Sequence, residues 1–580
     1  MAHRLPVDLP EVEFHDPAAF PTESIFGPHG ITAHIPSMAR ILDWQEQRAI
    51  PYQGYYRLIH PPFLKRLRAR LQAHYAVDWA VPYCSPEIAL KELLEFLRFP
   101  HPAQRVFLAP GSERLARAAL AAGFPCAPAP DAARAAAGDV LLFGEASSVS
   151  ARALLDAFRS AGATLVGCSP SLPAARDAVD LSDWWVAALE DETAGLTAAF
   201  TLTRRRTQAV DLNERNRRRG GLMPSRAAAW WLGGPDAAPE AKVVDEVASR
   251  LAELEGARHA FVYPSGMHGI VEAFETLWTP ERPEFVVVGH PYSDSHLILG
   301  EMPWAPGRLL THFLQVSEQD RLPALLAGGQ VGAVLLETLT NPLIEIPDLP
   351  AIAAACRAAG VPLVVDNTFA TPANCRPLQH GATVVLHSTS KFLSGSNEHG
   401  GGVVMTSDDA IARRLADRQK RLRNRMSPFE AAALAATLPT FADRMRRFNA
   451  NGLRVARLLA SHPAVERVYF PGMPESPVPS DASTWLSGFG SVVSFTFREP
   501  GLDPVRRMYD TPTPSIRKAP TLGSDATLMC PYVMLTYYRR TDEYLRPYRL
   551  PRYLVRLAVG SEVDFAGVEA DLLRALGRNA

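Results

Sequence analysis

The sequence has no excess of either charge: 60 lysine and arginine residues stand against 61 aspartate and glutamate residues in a chain of 580. Proteins that bind nucleic acid or anionic membranes usually carry a basic surplus, so a net charge of −1 argues against both classes. The six cysteines are scattered without a CxxC pair, and the histidines show no HxxxH or HxH spacing. We therefore expect a reduced protein without a metal site.

Long apolar runs are also missing. No stretch approaches the ~18 consecutive apolar residues that span a bilayer, and the first residues, MAHRLPVDLPEVEFHDP, lack the apolar core of a signal peptide. These absences predict a cytoplasmic protein with no membrane partner. A chain of this length exceeds what one hydrophobic core supports, so several structural units are expected.

Alternating apolar strands and amphipathic helices predict an α/β fold with a mainly parallel sheet covered on both faces. The pattern of predicted strands and helices divides the chain into an N-terminal lobe (1–205), an arm (206–240), a large domain (241–430) and a smaller C-terminal α+β domain (431–580). In the lobe, RVFL, DVLLF and ATLVGC predict strands, and ERLARAALAAG and SARALLDAFRSAG predict helices. The charged stretch 203–235 has no clean period and is expected to be an arm or linker.

Two pairs of similar segments give the hypothesis that the N-terminal lobe is a degenerate repeat of the large domain. Residues 107–120 (FLAPGSERLARAAL) resemble 261–274 (FVYPSGMHGIVEAF), and residues 138–162 resemble 332–360. The alternative is that any two strand-turn-helix units share this appearance. If the repeat is real, the N-terminal copy has no counterpart of Lys391 in the large domain. The lobe would then be structural or regulatory.

Polar and aromatic residues collect where the predicted strands of the large domain end, the edge at which open α/β sheets bind ligands. Each has an ordinary explanation by itself, such as a capped turn or a solvated lysine, but five strand ends carry them in chain order. They are Ser265, Gly266 and Met267 at a helix start, then Tyr292, Asn341, Asp366, Thr368, Ser388, Ser390 and Lys391.

This set of residues suits a phosphorylated aromatic aldehyde. The helix start at Gly266 favours a phosphate, and a buried Lys391 amine is a good nucleophile for a Schiff base. Asp366 can keep a pyridine nitrogen protonated, and Tyr292 can stack on the ring. The residues therefore predict pyridoxal 5′-phosphate (PLP) on Lys391.

The sequence resembles the Cys/Met-metabolism family of fold-type I PLP-dependent enzymes, and within it the long, fungal-type cystathionine γ-synthases. The resemblance rests on YPSGMHG, ETLTNP, VVDNTFATP, HSTSKFLSGSNEHGGGVV and LVRLAVGSE, and more loosely on GPHGITAHIPSMARILDWQEQ and ATLMCPYVMLTYY. It implies a fold-type I transferase whose main sheet is of the seven-stranded type. The large domain, 241–430, would bind PLP.

The resemblance also implies roles for single residues. Lys391 and Tyr292 would be catalytic, Asp366 the pyridinium partner, and Arg556 the clamp for the substrate α-carboxylate, with Thr521 and Asn341 beside it. The implied cofactor-binding set is Ser265, Gly266, Met267, Tyr292, Asn341, Asp366, Thr368, Ser388, Ser390, Lys391 and, from the arm of a neighbouring subunit, Arg218.

Several family positions differ in this sequence. The tyrosine and arginine that the family usually sends to the phosphate of a neighbouring subunit fall on Asn216 and Arg218, with Ser225-Arg226 as a second candidate. Ser293-Asp294 replaces a glycine pair, and Leu339 replaces a proline.

The activity implied is that of a cystathionine γ-synthase, which joins an O-acyl-L-homoserine to L-cysteine. Alternatives are a β- or γ-lyase, γ-replacement with another nucleophile, and a non-catalytic PLP-fold regulatory protein. A nicotinamide-dependent oxidoreductase is disfavoured because no GxGxxG follows a strand. The resemblance further implies a homotetramer of paired dimers with shared active sites, small-molecule amino-acid substrates and no nucleic-acid partner.

Overall fold

The computed structural model falls into two units. It describes residues 29, 37–39, 41–42, 62–98, 105–109, 119, 124, 126–128, 136–137, 139–144, 149–169, 179, 182–192, 194–234, 237–300, 310–537 and 540–577. Of these, the first unit contains the residues from 62 to 244 together with 414–431, and the second contains 29, 37–42, 245–413 and 432–577. The predicted four-part division at 205, 240 and 430 is finer than this and stays a prediction.

The first unit contains a seven-stranded sheet in the order β1-β7-β6-β5-β4-β2-β3. The strands β2 to β6 run parallel, whereas β7 is antiparallel to both β6 and β1. Apolar side chains on both sheet faces form two buried clusters, as expected for a sheet covered on both sides. The strands are β1 Trp79–Tyr83, β2 Val106–Leu108, β3 Cys126–Pro128, β4 Val140–Phe143, β5 Thr164–Ser169, β6 Trp184–Asp191 and β7 Leu196–Thr203.

The helices described in this unit are α1 Pro62–Tyr75, α2 Pro86–Arg98, α3 Val149–Ser160, α4 Arg206–Arg219 and α5 Ser225–Trp231. The structure confirms the three strands predicted from RVFL, DVLLF and ATLVGC and the helix predicted from SARALLDAFRSAG. The helix predicted from ERLARAALAAG lies outside the described residues except for Ala119.

Residues 203–235 contain the helices α4 and α5, and the expectation that they form an arm or linker stays a prediction. Arg215 and Arg219 of α4 are buried and pair with Glu92 and Glu95 of α2. A run of arginines usually indicates a solvated face. Here carboxylates that are far away in the sequence but close in space compensate the charge of Arg215 and Arg219.

The second unit contains a seven-stranded sheet in the order β10-β9-β11-β12-β13-β14-β8. Five strands run parallel, and β14 is antiparallel to β13 and β8. The carboxyl ends of the parallel strands meet at one edge, where the residues predicted to bind a ligand are found. The strands are β8 His259–Tyr263, β9 Glu284–Val288, β10 Leu310–Leu314, β11 Val331–Glu337, β12 Leu363–Asp366, β13 Val384–Ser388 and β14 Gly402–Thr406.

A smaller five-stranded sheet completes the second unit in the order β15-β16-β19-β18-β17, and its strands are antiparallel except for the pair β17 and β18. A buried apolar cluster lies against it. These strands are β15 Val465–Tyr469, β16 Val492–Phe497, β17 Arg517–Lys518, β18 Leu528–Cys530 and β19 Val555–Ala558.

From residue 243 onward the helices are α6 Val243–Glu255, α7 Gly266–Leu277, α8 Ser293–Gly300, α9 Leu322–Ala327, α10 Leu349–Ala358, α11 Thr371–Asn374, α12 Asp409–Leu422, α13 Pro428–Thr437, α14 Phe441–Ser461, α15 Asp503–Asp510, α16 Tyr532–Thr536, α17 Asp542–Leu545 and α18 Ala566–Leu576. Among the helices that the structure describes, none is long and apolar enough to cross a membrane. The predicted α/β fold with a mainly parallel sheet and a smaller α+β part is confirmed.

Candidate active site

The turn between β8 and α7 forms one wall of the site. Ser265 is the N-cap of α7, and its hydroxyl accepts a hydrogen bond from the backbone N–H of His268 at 3.0 Å. Gly266 then begins the helix so close to β13 that a Cβ added to it would lie 2.9 Å from the Cβ of Ser388. Glycine is therefore required here, and it leaves the first amides of α7 accessible to an anion.

Lys391 lies in the loop after β13, and only 5% of its surface is exposed. Its Nζ donates a hydrogen bond of 2.7 Å to Oγ1 of Thr521. The Thr521 hydroxyl donates in turn to Oδ1 of Asn397 at 2.7 Å. The hydroxyl thus fixes the position of a buried amine, the arrangement that a nucleophilic lysine requires.

Asp366 ends β12 and faces the same site. Its Oδ1 accepts hydrogen bonds from the N–H and the hydroxyl of Thr368, at 3.0 and 2.6 Å. The Thr368 hydroxyl also accepts the backbone N–H of Ser388 at 2.9 Å, and the Oγ atoms of Ser388 and Ser390 lie 2.9 Å apart. Burial raises the pKa of Asp366, although the bonds from Thr368 oppose this.

A second carboxylate, Glu337, ends β11 directly beside Asp366 in the strand register. Its Oε1 accepts the backbone N–H of Tyr292 at 2.6 Å, while the Tyr292 hydroxyl donates to Asp294 at 3.3 Å. Burial, followed by the charge of Asp366, raises the pKa of Glu337 well above its ordinary value. Burial and the neighbouring charge of Asp366 therefore both disfavour the ionised form of Glu337.

Arg556 of β19 forms the opposite wall. Its Nη2 donates to the carbonyl oxygens of Pro520 and Thr521 at 2.7 and 2.9 Å, and its Nη1 donates to Oδ1 of Asn341 at 3.2 Å. The guanidinium lies 4.4 Å from the ring centre of Tyr532, whose hydroxyl accepts a bond of 2.9 Å from Nδ2 of Asn341. A guanidinium held in this way is suited to binding a carboxylate.

These residues border one cavity of about 700 Å³, counted together with its mouth open to solvent. Most of the predicted site residues line it directly, whereas Ser265, Ser390 and Thr521 contact residues that do. The lining includes Gly266, Met267, Tyr292, Asn341, Asp366, Thr368, Ser388, Lys391 and Arg556.

The residues present fit PLP. The cradle at Gly266 and the hydroxyls of Ser388 and Ser390 offer donors for a phosphate. The buried carboxylate of Asp366 offers an acceptor for a protonated ring nitrogen, and Lys391 supplies the amine. Among the described residues, no group of three or more His, Cys, Asp or Glu side chains could hold a metal ion.

One predicted site residue lies in the other unit. Arg218 is half-buried near the end of α4, and its predicted contact with a phosphate stays a prediction.

Tyr532 and Glu337 are among the lining residues that sequence reasoning missed. Tyr532 lies in an apolar stretch and resembled a core aromatic, although it contacts both Arg556 and Asn341. Glu337 ends β11 and was not among the predicted site residues. The signal that identifies Glu337 is that it is aligned with Asp366 on the neighbouring parallel strand.

Comparisons with known proteins agree with this site. The sequence model of the family described as "Cys/Met metabolism PLP-dependent enzyme" matches residues 239–577. The chain is 36% identical to the cystathionine γ-synthase of Mycobacterium leprae over 261 residues, which are 45% of this chain and 66% of that protein. It is 31% identical to the L-methionine γ-lyase of Pseudomonas putida over 339 residues, 57% of this chain and 82% of that protein.

A solved structure is similar as well. Cystathionine γ-synthase from Xanthomonas oryzae pv. oryzae, in complex with aminoacrylate and cysteine, matches with a TM-score of 0.55 and 30% identity. The match covers 58% of this chain and 86% of that one. Because the family match extends over more than half of the chain, this protein belongs to the Cys/Met-metabolism family of PLP-dependent enzymes, as its sequence motifs predicted.

Proposed function

We propose that this enzyme catalyses γ-replacement, joining an O-acyl-L-homoserine to L-cysteine to give cystathionine. The C–O bond at the γ-carbon breaks, a C–S bond forms there, and the thiol proton leaves with the released carboxylic acid. The names of the relatives from M. leprae and X. oryzae support this choice of reaction.

The observation that carries the proposal is that Lys391 and Arg556 both donate hydrogen bonds to the same residue, Thr521. Nζ of Lys391 donates to the hydroxyl of Thr521, and the guanidinium of Arg556 donates to the carbonyl oxygen of the same threonine. An amino acid whose α-carboxylate binds Arg556 therefore has its α-carbon near the lysine amine. This is the geometry needed to remove an α-proton.

Each residue then has a defined task. PLP, when bound, withdraws electrons from the α-carbon of the amino acid. Arg556 orients the carboxylate, and Nζ of Lys391 takes the α-proton and returns it. Asp366 holds the proton of the pyridine nitrogen, and Tyr292 covers the ring face.

The phosphate is assigned to the turn after β8. We propose that the backbone at Gly266 and Met267 binds it together with Ser388 and Ser390, Ser265 capping the helix beneath. Asn341 would hold the ring hydroxyl, Thr368 positions Asp366, and Arg218 of a neighbouring subunit would add a positive charge near the phosphate.

A lyase is the second candidate, because the P. putida relative carries that activity in its name. Purified full-length protein loaded with PLP is incubated with O-succinyl- or O-acetyl-homoserine, with and without cysteine, and the products are identified by mass spectrometry. We expect cystathionine only when cysteine is present. Formation of 2-oxobutyrate and ammonia at the same rate with and without cysteine, and no cystathionine, would establish the lyase instead.

Two variants control this assay. Lys391→Ala removes the proposed base, and the exposed Lys420→Ala changes a surface lysine of α12. Lys391→Ala is expected to give no product, and Lys420→Ala the same rate as the unmodified enzyme.

A cytoplasmic location and a homo-oligomer with shared active sites belong to the same proposal. Light scattering coupled to size-exclusion chromatography tests the oligomer, and a single-chain mass would contradict it.

A further inference from the structure

The two seven-stranded sheets have the same topology. Reading the first sheet from β3 gives β3-β2-β4-β5-β6-β7-β1, and the second sheet reads β10-β9-β11-β12-β13-β14-β8. Adding seven to each strand number of the first sheet gives the second, and the parallel and antiparallel pairs coincide along the whole order. An unrelated α/β domain has no reason to reproduce this order strand by strand.

The described helices occupy the same places between the strands. Helix α1 precedes β1 and α2 follows it, as α6 precedes β8 and α7 follows it. Helix α3 joins β4 to β5, as α10 joins β11 to β12. After β7 come α4 and α5, as α12 and α13 come after β14.

The topology corrects one of the two sequence pairings on which the repeat was based. It matches β1 with β8, so residues 261–274 correspond to 81–94 and not to 107–120. In this alignment Tyr83 and Ser85 fall on Tyr263 and Ser265. The pairing of 138–162 with 332–360 agrees with the topology, because both segments span the fourth strand of their sheet and the helix after it.

The helix cap at the phosphate position is retained in the first unit. The Ser85 hydroxyl accepts the N–H of Ile88 at 3.1 Å, as the Ser265 hydroxyl accepts the N–H of His268 at 3.0 Å. A cap shared in position and geometry indicates a common local structure.

The residues that follow this cap no longer suit a phosphate. Pro86 stands at the position of Gly266, and proline has no N–H to donate. Glu87 stands at the position of Met267 and brings a carboxylate to the helix start, where it would repel a phosphate.

The chain itself occupies this position in the first unit. Nη1 of Arg423 lies 2.9 Å from a carboxylate oxygen of Glu190 and 3.7 Å from one of Glu87. The Ser85 hydroxyl also donates to the carbonyl oxygen of Leu422 at 2.7 Å. The positive charge that could attract an anion is therefore compensated by carboxylates of the same unit.

Among the described residues, the acidic residues and the lysine of the cofactor site have no counterpart at the aligned positions of the first unit. Strands β4 and β5 carry no carboxylate, whereas β11 and β12 end in Glu337 and Asp366. Residues 192–195 join β6 to β7 and contain no lysine, whereas residues 389–401 join β13 to β14 and contain Lys391. The buried ring of Phe143 on β4 packs edge to face against the buried ring of Trp185 on β6.

We propose that the first unit is an internal copy of the cofactor-binding unit that has lost its cofactor. Its phosphate position is closed by Pro86, Glu87 and Arg423, and its ring position by aromatic side chains. The first unit therefore works without a cofactor, and each chain holds one PLP.

The test compares the same position in the two units. Full-length protein is saturated with PLP and desalted, and the PLP released by alkali is measured per chain. Pro86→Gly and Gly266→Pro exchange the two residues, Gly266→Ala is a milder form of the second change, and circular dichroism verifies that each variant is folded.

We expect one PLP per chain in the unmodified protein and in Pro86→Gly. Gly266→Pro should fall to about a tenth of that value, and Gly266→Ala should weaken PLP binding about tenfold, because a Cβ at 2.9 Å from Ser388 narrows the cradle. Close to two PLP per chain in the unmodified protein, or a loss in Pro86→Gly as large as in Gly266→Pro, would overturn the proposal.

Discussion

Replacing Glu92 by glutamine removes one of two carboxylates from a buried ion cluster of the first unit. The carboxylate oxygens of Glu92 lie 2.7 Å from Nε of Arg219 and 3.2 Å from Nε of Arg215. Lys91 and Glu95 complete the cluster, with their charged groups 2.8 Å apart. Removing one partner of a buried ion pair costs about 3–5 kcal/mol, and we expect a loss of that size in the free energy of unfolding.

The pKa of Glu92 gives a similar magnitude. Burial by itself would raise this pKa, but the charges of Arg219, Lys91 and Arg215 outweigh it and lower the pKa from 4.5 to about 2. Such a difference corresponds to roughly 3 kcal/mol. Because the folded-state pKa lies below the unfolded value, this stabilisation is complete above pH 4.5 and is lost as the pH falls through about 2. Glu92→Gln should lack this part of the acid sensitivity.

Unfolding in guanidinium chloride, followed by tryptophan fluorescence, measures the loss. The matched control is Asp156→Asn, since Asp156 pairs with Arg159 at 3.2 Å on the exposed face of α3 and exposed pairs contribute about 0–1 kcal/mol. A loss for Glu92→Gln no larger than for Asp156→Asn would refute the reasoning. The first unit provides the tryptophans Trp79, Trp184, Trp185, Trp230 and Trp231.

Three further predictions concern the active site. Thr521→Val removes the hydroxyl that accepts the hydrogen bond of Lys391, so kcat/KM should fall about tenfold with unchanged PLP content, and an unchanged rate would contradict the role of this bond. Tyr532→Leu removes the ring under the guanidinium of Arg556, which is proposed to bind the substrate carboxylate, so steady-state kinetics should show KM for the homoserine ester rising about tenfold with a smaller change in kcat. Glu337→Gln should keep kcat/KM within about twofold at pH 7, because burial and the charge of Asp366 already disfavour the ionised form of Glu337. A loss as large as that of Asp366→Asn in the same assay would show that Glu337 acts as a charge.

The fold of the second unit and half of the residues lining its site were predictable from the sequence. Apolar runs such as PLVV and VVLH are buried on both faces, so they predict strands of a parallel sheet without any further information. The residue after each run then lies at the carboxyl edge of the sheet, and this placed Asp366, Ser388 and Lys391 in one site.

Other features depend on contacts between residues far apart in the chain. The arginines of 203–235 form a buried helix because Glu92 and Glu95, more than a hundred residues earlier, compensate them. Tyr532 contacts Arg556 and Asn341 only when two sheets of the second unit come together. The repeat pairing that we propose likewise required the strand order, because local similarity alone favoured a different segment.

The most direct test of the central claim is the visible absorption spectrum of the purified protein before and after borohydride, with peptide mass analysis of the reduced product. We predict the band of lysine-bound pyridoxal, its loss on reduction, and a pyridoxyl group on the peptide that contains Lys391. Lys391→Ala should carry no such group. A protein that takes up no PLP, or a reduced adduct on a different lysine, would contradict the assignment of Lys391 and the site built around it.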